Sequence, residues 1–67
     1  MHYQKLWFTL DEIKEIHPIH DAARRRAEAA GYFPRRVMLS ANIPAWRRSE
    51  VEDWLRDPHF WQAKQVA

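Results

Sequence analysis

Seven arginines fall between positions 24 and 48 (Arg24, Arg25, Arg26, Arg35, Arg36, Arg47 and Arg48), and Glu28 is the one acid among them. Seven against one is a local balance of +6; the rest of the chain holds four basic and eight acidic side chains, −4, which leaves the +2 of the whole. Positive charge concentrated in this way points to a polyanionic partner facing the middle of the chain. Arginine also suits the task better than lysine, because its planar fork matches phosphate oxygens and the guanine edge with two parallel donors. The competing use is a solvated basic face, or local ion pairs such as Arg24 with Glu28 and Arg25 with Asp21. Those are worth only a few tenths of a kcal/mol.

Other chemistry finds little support. His17 and His20 stand three apart, but no cysteine or paired acid completes a tetrahedral set, so no metal or other cofactor is expected. Trp46 and Trp54 could stack on bases, yet a strand end and an apolar helix stripe make them core residues. There is no nucleophile beside a base, no carboxylate pair in a cleft and no phosphate-cradling glycine loop. The sequence therefore reads as a non-enzyme with no small-molecule substrate.

The elements that must position these arginines follow from local signals. Thr9-Leu10-Asp11-Glu12 is a capping box, and Leu10, Ile13 and Ile16 recur at helical spacing, so a first helix runs from about Leu10 to Ile16. Its outer side is acidic and unsuited to phosphate. Pro18 stops it by His17, with Ile19 as the buried residue of the turn. Asp21 reads as the N-cap of a second helix that runs through alanine and arginine to Gly31, a left-handed cap, with Pro34 beyond. On a helical projection Ala23, Ala27 and Ala30 form a flat inner stripe, with Arg24, Arg25 and Glu28 turned away and Arg26 on the flank. Two short helices joined so tightly, the second rich in arginine, make a helix-turn-helix pair.

Beyond Pro34, Val37 and Leu39 alternate with Arg36 and Met38 as a strand with one buried face. Ser40-Ala41-Asn42 is the turn, and Ile43 to Trp46 is a second strand placed at a sheet edge by Pro44. This hairpin is a wing with Arg35, Arg36, Arg47 and Arg48 at its base, where they read as phosphate clamps. Ser49 caps a third helix with Glu52 completing the box, Val51, Trp54 and Leu55 as its apolar stripe, and Asp57-Pro58 as its end. Met1 to Phe8 is an extended lead-in that packs aromatics on the core.

At 67 residues this is one domain, 1–67, with a core over about 9–56 and a short tail over 57–67. Such a chain buries about 60% of its unfolded surface, so its many aromatics carry the core. The lack of cysteine fits a reducing cytoplasm, and no apolar run approaches the roughly 20 residues that span a bilayer, so neither membrane association nor a signal peptide is expected. The fold class is α+β, mainly helical: a winged helix-turn-helix with two or three helices and a small β-hairpin wing.

Two anchors carry a resemblance: Gly31-Tyr32-Phe33-Pro34 after the second helix, and Ala45-Trp46-Arg47-Arg48-Ser49-Glu50-Val51-Glu52-Asp53-Trp54-Leu55 after the wing. Over about Thr9 to Arg56 the chain resembles the AlpA-like prophage regulators and small phage excisionases, which share a MerR-like winged helix. The resemblance implies that the second helix enters the major groove while the wing meets the neighbouring minor groove or backbone. By position, the implied contacts are His20, Asp21, Arg24 and Arg25 from the helix, and Arg35, Arg36 and the hairpin tip (Ser40, Asn42) from the wing. Arg26, Arg47 and Arg48 join them on charge. This chain starts its second helix His20-Asp21-Ala22-Ala23 where the family has a Ser-Arg-Ser-Thr-like start, and it lacks the usual glycine in the wing turn.

The expected function is sequence-specific binding of double-stranded DNA as an excisionase or a transcriptional regulator of phage or mobile-element type. It would act in the cytoplasm of a bacterial host, at the nucleoid. The excisionase reading is slightly favoured by the lack of a separate dimerisation or effector domain. It brings with it, by resemblance, cooperative self-association on DNA and a phage integrase as partner. The alternative is a small interaction module that binds an acidic host protein through the basic face and the aromatic tail, Phe60 and Trp61.

Overall fold

The computed structural model of the protein describes residues 5–63; Met1 to Gln4 of the extended lead-in lie outside them. The order of elements is β1 (Trp7–Thr9), α1 (Leu10–Ile16), α2 (Asp21–Ala30), β2 (Val37–Ser40), β3 (Ile43–Arg47) and α3 (Arg48–Arg56). Three helices and a three-stranded antiparallel sheet of order β1-β3-β2 make a mainly helical α+β winged helix-turn-helix.

The local signals that specify these elements are polar and explicit. Thr9 caps α1: Glu12 N–H donates to Thr9 Oγ1 at 3.3 Å, and Thr9 N–H donates to the Glu12 carboxylate at 2.9 Å. Lys5 joins that carboxylate at 2.7 Å, and its ammonium, followed by the Thr9 N–H, holds the Glu12 pKa down to about 2. At the far end of α2, Gly31 takes φ +85°, where a Cβ is disfavoured. Tyr32 N–H returns to Ala27 O at 2.9 Å and Gly31 N–H to Glu28 O at 3.2 Å, the paired closure of a Schellman motif.

The core is Ile13, Phe33, Trp46, Val51 and Trp54, with Phe8, Leu10, Ile16, Ala27 and Trp61 packed against it. Trp46 is completely enclosed, and no group among the described residues accepts from its indole N–H. Trp61 lies on the core with its own indole N–H on Asp53 at 3.2 Å, and Ala63 N–H donates to Gly31 O at 2.8 Å, so the described tail folds back on α2. Phe60 instead points to solvent.

Several expectations are corrected. Pro44 lies in the central strand, not at an edge. It can do so because β1 is three residues long and its ladder with β3 ends at Thr9 opposite Ala45, one position short of Pro44. Leu39 is exposed rather than buried, because a bulge between Met38 and Ser40 breaks the inside–outside alternation of β2. Ser49 is not a cap. Strand β3 runs straight into α3 with Arg47 at the cap position and no side-chain cap bond, and Arg48 N–H donates to Leu6 O at 2.9 Å. Leu55 and Ile19 are also exposed, the latter in a turn held by hydrogen bonds instead of apolar packing.

Candidate nucleic-acid interface

The inner face of α2 is charged. Arg24 is fully buried and Glu28 nearly so, with Ala27 between them against the core. Arg24 therefore does not stand on the open face of the helix, nor does Glu28 turn away from the domain. The cause is the α1–α2 turn, whose carbonyls have no helical partners. Arg24 Nη2 donates to His17 O at 2.7 Å and to Ile19 O at 3.1 Å, while Nη1 donates to Asp21 at 3.0 Å. Its Nε approaches His17 Nδ1 at 3.4 Å, which makes that nitrogen the acceptor. His17 in turn stacks on Phe33, ring centroids 4.4 Å apart.

Arg36 is likewise not a free clamp. Its side chain is 11% exposed, and its guanidinium lies 4.9 Å from the Trp46 ring centroid while pairing with Glu28 at 2.9 Å and Asp21 at 2.8 Å. Its backbone N–H also donates to Glu28 Oε1 at 2.9 Å. Burial works against the charged form of Arg36, but the hydrogen bonds to Glu28 and then Asp21 outweigh it and raise its pKa. The same contacts, from Arg36 first and Arg25 next, hold the Asp21 carboxyl far below the ordinary range. Glu28, the one acid of the arginine window, thus fastens the start of the wing to α2. Arg35 adds a bond from Nε to Glu28 O at 3.3 Å while its side chain remains exposed.

The alanine stripe of the projection holds in part. Ala27 alone touches the core, Ala23 is half-buried and Ala30 is exposed. The residues facing solvent are Ala22, Arg25, Arg26 and Ala29, spaced i, i+3, i+4 and i+7 on one stripe, with Ala30 at its border. The outer surface of α2 is consequently flat except for two guanidiniums. Asp21 is the first residue of this helix rather than its cap. His20 holds the cap position without a side-chain bond, because the Asp21 carboxylate is drawn to Arg24, Arg25 and Arg36.

The remaining positions sit apart from that cluster. Arg47 is exposed, 5.1 Å from the Trp7 ring centroid, and Arg48 pairs with Glu52 at 3.0 Å beside Phe8. Ser40 and Asn42 are exposed at the hairpin end, and His20 is exposed at the start of α2. Of the seven arginines, Arg25, Arg26, Arg35 and Arg47 are exposed, and Arg48 is half-buried. Among the described residues no group of three or more histidines, aspartates or glutamates could hold a metal ion. Nor is any helix among them long and apolar enough to cross a membrane.

A family model described as prophage CP4-57 regulatory protein (AlpA) matches residues 10–58, from the start of α1 to just past the end of α3. Searches of curated proteins and of solved structures return no match.

Proposed function

The chain belongs to the AlpA family of prophage regulatory proteins, and from that premise we propose that it binds double-stranded DNA sequence-specifically, with α2 in the major groove. The observation that carries this is the outer stripe of α2. Ala22, Ala29 and Ala30 let the backbone approach base edges closely, and Arg25 and Arg26 project from a surface with no other large side chain. A major groove about 12 Å wide admits such a helix, and arginine is its commonest specific reader. Arg35, Arg47 and Arg48 at the base of the wing supply phosphate contacts, with Ser40 and Asn42 at its tip and His20 at the start of the helix.

The function is binding without chemistry, and it serves either transcriptional regulation or excision. A domain of this size covers little DNA, so useful specificity calls for two or more copies on one site. In the excision reading those copies assemble cooperatively with an integrase. Phe60, 74% exposed in the tail, favours a second reading in which the protein docks on an acidic host protein.

A salt titration on duplex DNA separates the two. If about four phosphates are neutralised, log K falls with log salt at a slope of roughly −3.6 per copy. Absence of binding at low salt eliminates the DNA reading. Footprinting then divides the jobs: protection over a promoter identifies a regulator, and protection beside an attachment site with bent, hypersensitive spacing identifies an excisionase.

A further inference from the structure

Asp21 sits where the inner and outer sides of α2 meet. Its Oδ1 accepts from Arg24 Nη1 at 3.0 Å and from Arg36 Nη2 at 2.8 Å; its Oδ2 accepts from Arg25 Nε at 2.9 Å. Arg24 is enclosed and Arg36 almost so, which leaves the carboxylate little freedom. Arg25 is the opposite case, with 66% of its side chain in solvent. An exposed arginine ordinarily samples many rotamers and forfeits that freedom on binding. Here the Nε edge is tied down, and Nη1 and Nη2 at the far end of the fork remain available. Guanine presents O6 and N7 together in the major groove, a pair of acceptors that two parallel guanidinium N–H groups satisfy.

We propose that Asp21 is a positioning residue: it holds Arg25 as a pre-set two-donor fork for one guanine in the major groove of duplex DNA. This rests on the DNA-binding reading above. The carboxylate is fixed from the core side by Arg24 and Arg36, so the orientation of Arg25 is inherited from the folded domain before any DNA arrives. Ala22 and Ala29, on the same stripe, leave the fork unobstructed. The negative charge of Asp21 also opposes indiscriminate phosphate binding. Asp21 therefore raises selectivity while lowering affinity for random sequence.

The test is selection from a pool of random duplexes by the full chain and by Asp21→Asn, Arg25→Ala and the double variant, with a thermal melt of each. The wild type is expected to select a site with one guanine preferred about tenfold or more, within the range of a bidentate arginine–guanine pair. Arg25→Ala erases that preference. Asp21→Asn reduces it to about threefold or less at that position only, and binds unselected duplex as well as the wild type or better. In the Arg25→Ala background, Asp21→Asn changes nothing further at that position.

Arg25→Lys keeps the charge and leaves Asp21 its buried partners, and it loses the same guanine. Should Asp21→Asn fail to fold, Asp21→Glu retains a carboxylate for Arg24 and Arg36, and its one-methylene displacement relaxes the same base. An unchanged guanine preference in the folded Asp21 variant overturns the proposal. So does an even loss across all positions, or an equal effect of Asp21→Asn with and without Arg25. A wild type that binds no duplex in the pool overturns the DNA reading itself; one that selects a site which the Asp21 variants keep overturns only the role of Asp21.

Discussion

Arg24 Nη2 donates to the carbonyl oxygen of His17 at 2.7 Å, across the turn between α1 and α2. An arginine with no exposed surface thus completes the turn of the helix-turn-helix, supplying the donors that Pro18 and the non-helical backbone lack. Arg24→Ala removes them: Ile19 O loses its donor, His17 O keeps the Ile19 N–H at 2.8 Å, and Asp21 keeps Arg25 and Arg36 but loses its enclosed partner. The expected cost is about 3 kcal/mol, a large part of the stability of a domain this small. Urea unfolding of the variant measures it, and a loss under about 0.5 kcal/mol would show that the turn does not depend on this side chain.

Arg36→Ala should act on folding before it acts on DNA. The change strands Glu28, 6% exposed, without its cation and uncovers the Trp46 face. A destabilisation of about 3 kcal/mol is expected by the same measurement. Where the variant is held folded at low temperature, its DNA affinity should stay within about twofold of wild type; a phosphate contact by Arg36 would make the drop larger and equal for all sequences.

Exposed arginines should behave differently. Arg35→Ala and Arg47→Ala are expected to leave the melting temperature within a degree or two and to lower affinity for every duplex. Each should reduce the magnitude of the salt slope by about one. A slope unchanged by both substitutions would place the phosphate contacts elsewhere on the surface.

Acid should weaken the fold in two stages. Burial, then the charge of Arg24, lowers the pKa of His17 from 6.5, so the unfolded chain takes up this proton more readily than the native one. Stability from His17 is therefore full above about pH 6.5 and declines as pH falls below it. The Asp21 carboxyl, held far down by Arg36 and Arg25, contributes stability that is present above about pH 4 and lost at lower pH. Melting temperature against pH shows both steps, and His17→Phe, which keeps the stack on Phe33, should flatten the upper one. A profile that rises on acidification from pH 7 to 5 contradicts the assignment.

Gly31→Ala places a Cβ at φ +85°, where it meets no heavy atom within 4 Å, so the penalty is conformational alone. About 1 kcal/mol is expected, and Gly31→Asn should cost less because asparagine tolerates the left-handed region. Chemical denaturation of the pair tests the order; an alanine variant as stable as wild type would mean that α2 ends in another way.

Signals confined to a few neighbouring residues were legible in the sequence. The Thr9/Glu12 box, the Gly31 cap, the stop at His17 and the hairpin from Val37 to Ala45 all depend on contacts between near neighbours in the chain. What escaped depended on which side chains the fold encloses, which periodicity does not report. Hydropathy alone turns an arginine outward, and no pattern of residue types announces that four acceptors await Arg24 inside. Alanine is tolerated on either side of a helix, so the inner face of α2 could be chosen only by its polar partners, Arg24 and Glu28. Pro44 implied an edge because the shortness of β1 was not visible. In the candidate interface the arginine window was legible as a whole, but its division into enclosed and outward-facing members was not.

The attachment of α2 has a consequence for how this scaffold can diversify. The helix is fastened by a hydrogen-bonded charge cluster on one side and a single alanine against the core, so positions 22, 26 and 29 are absolved of any part in holding it. They form a cassette whose contents can be rewritten. A library randomised there should yield folded members with new target repertoires, and stability assays across that library would show whether recognition and anchorage are separately mutable.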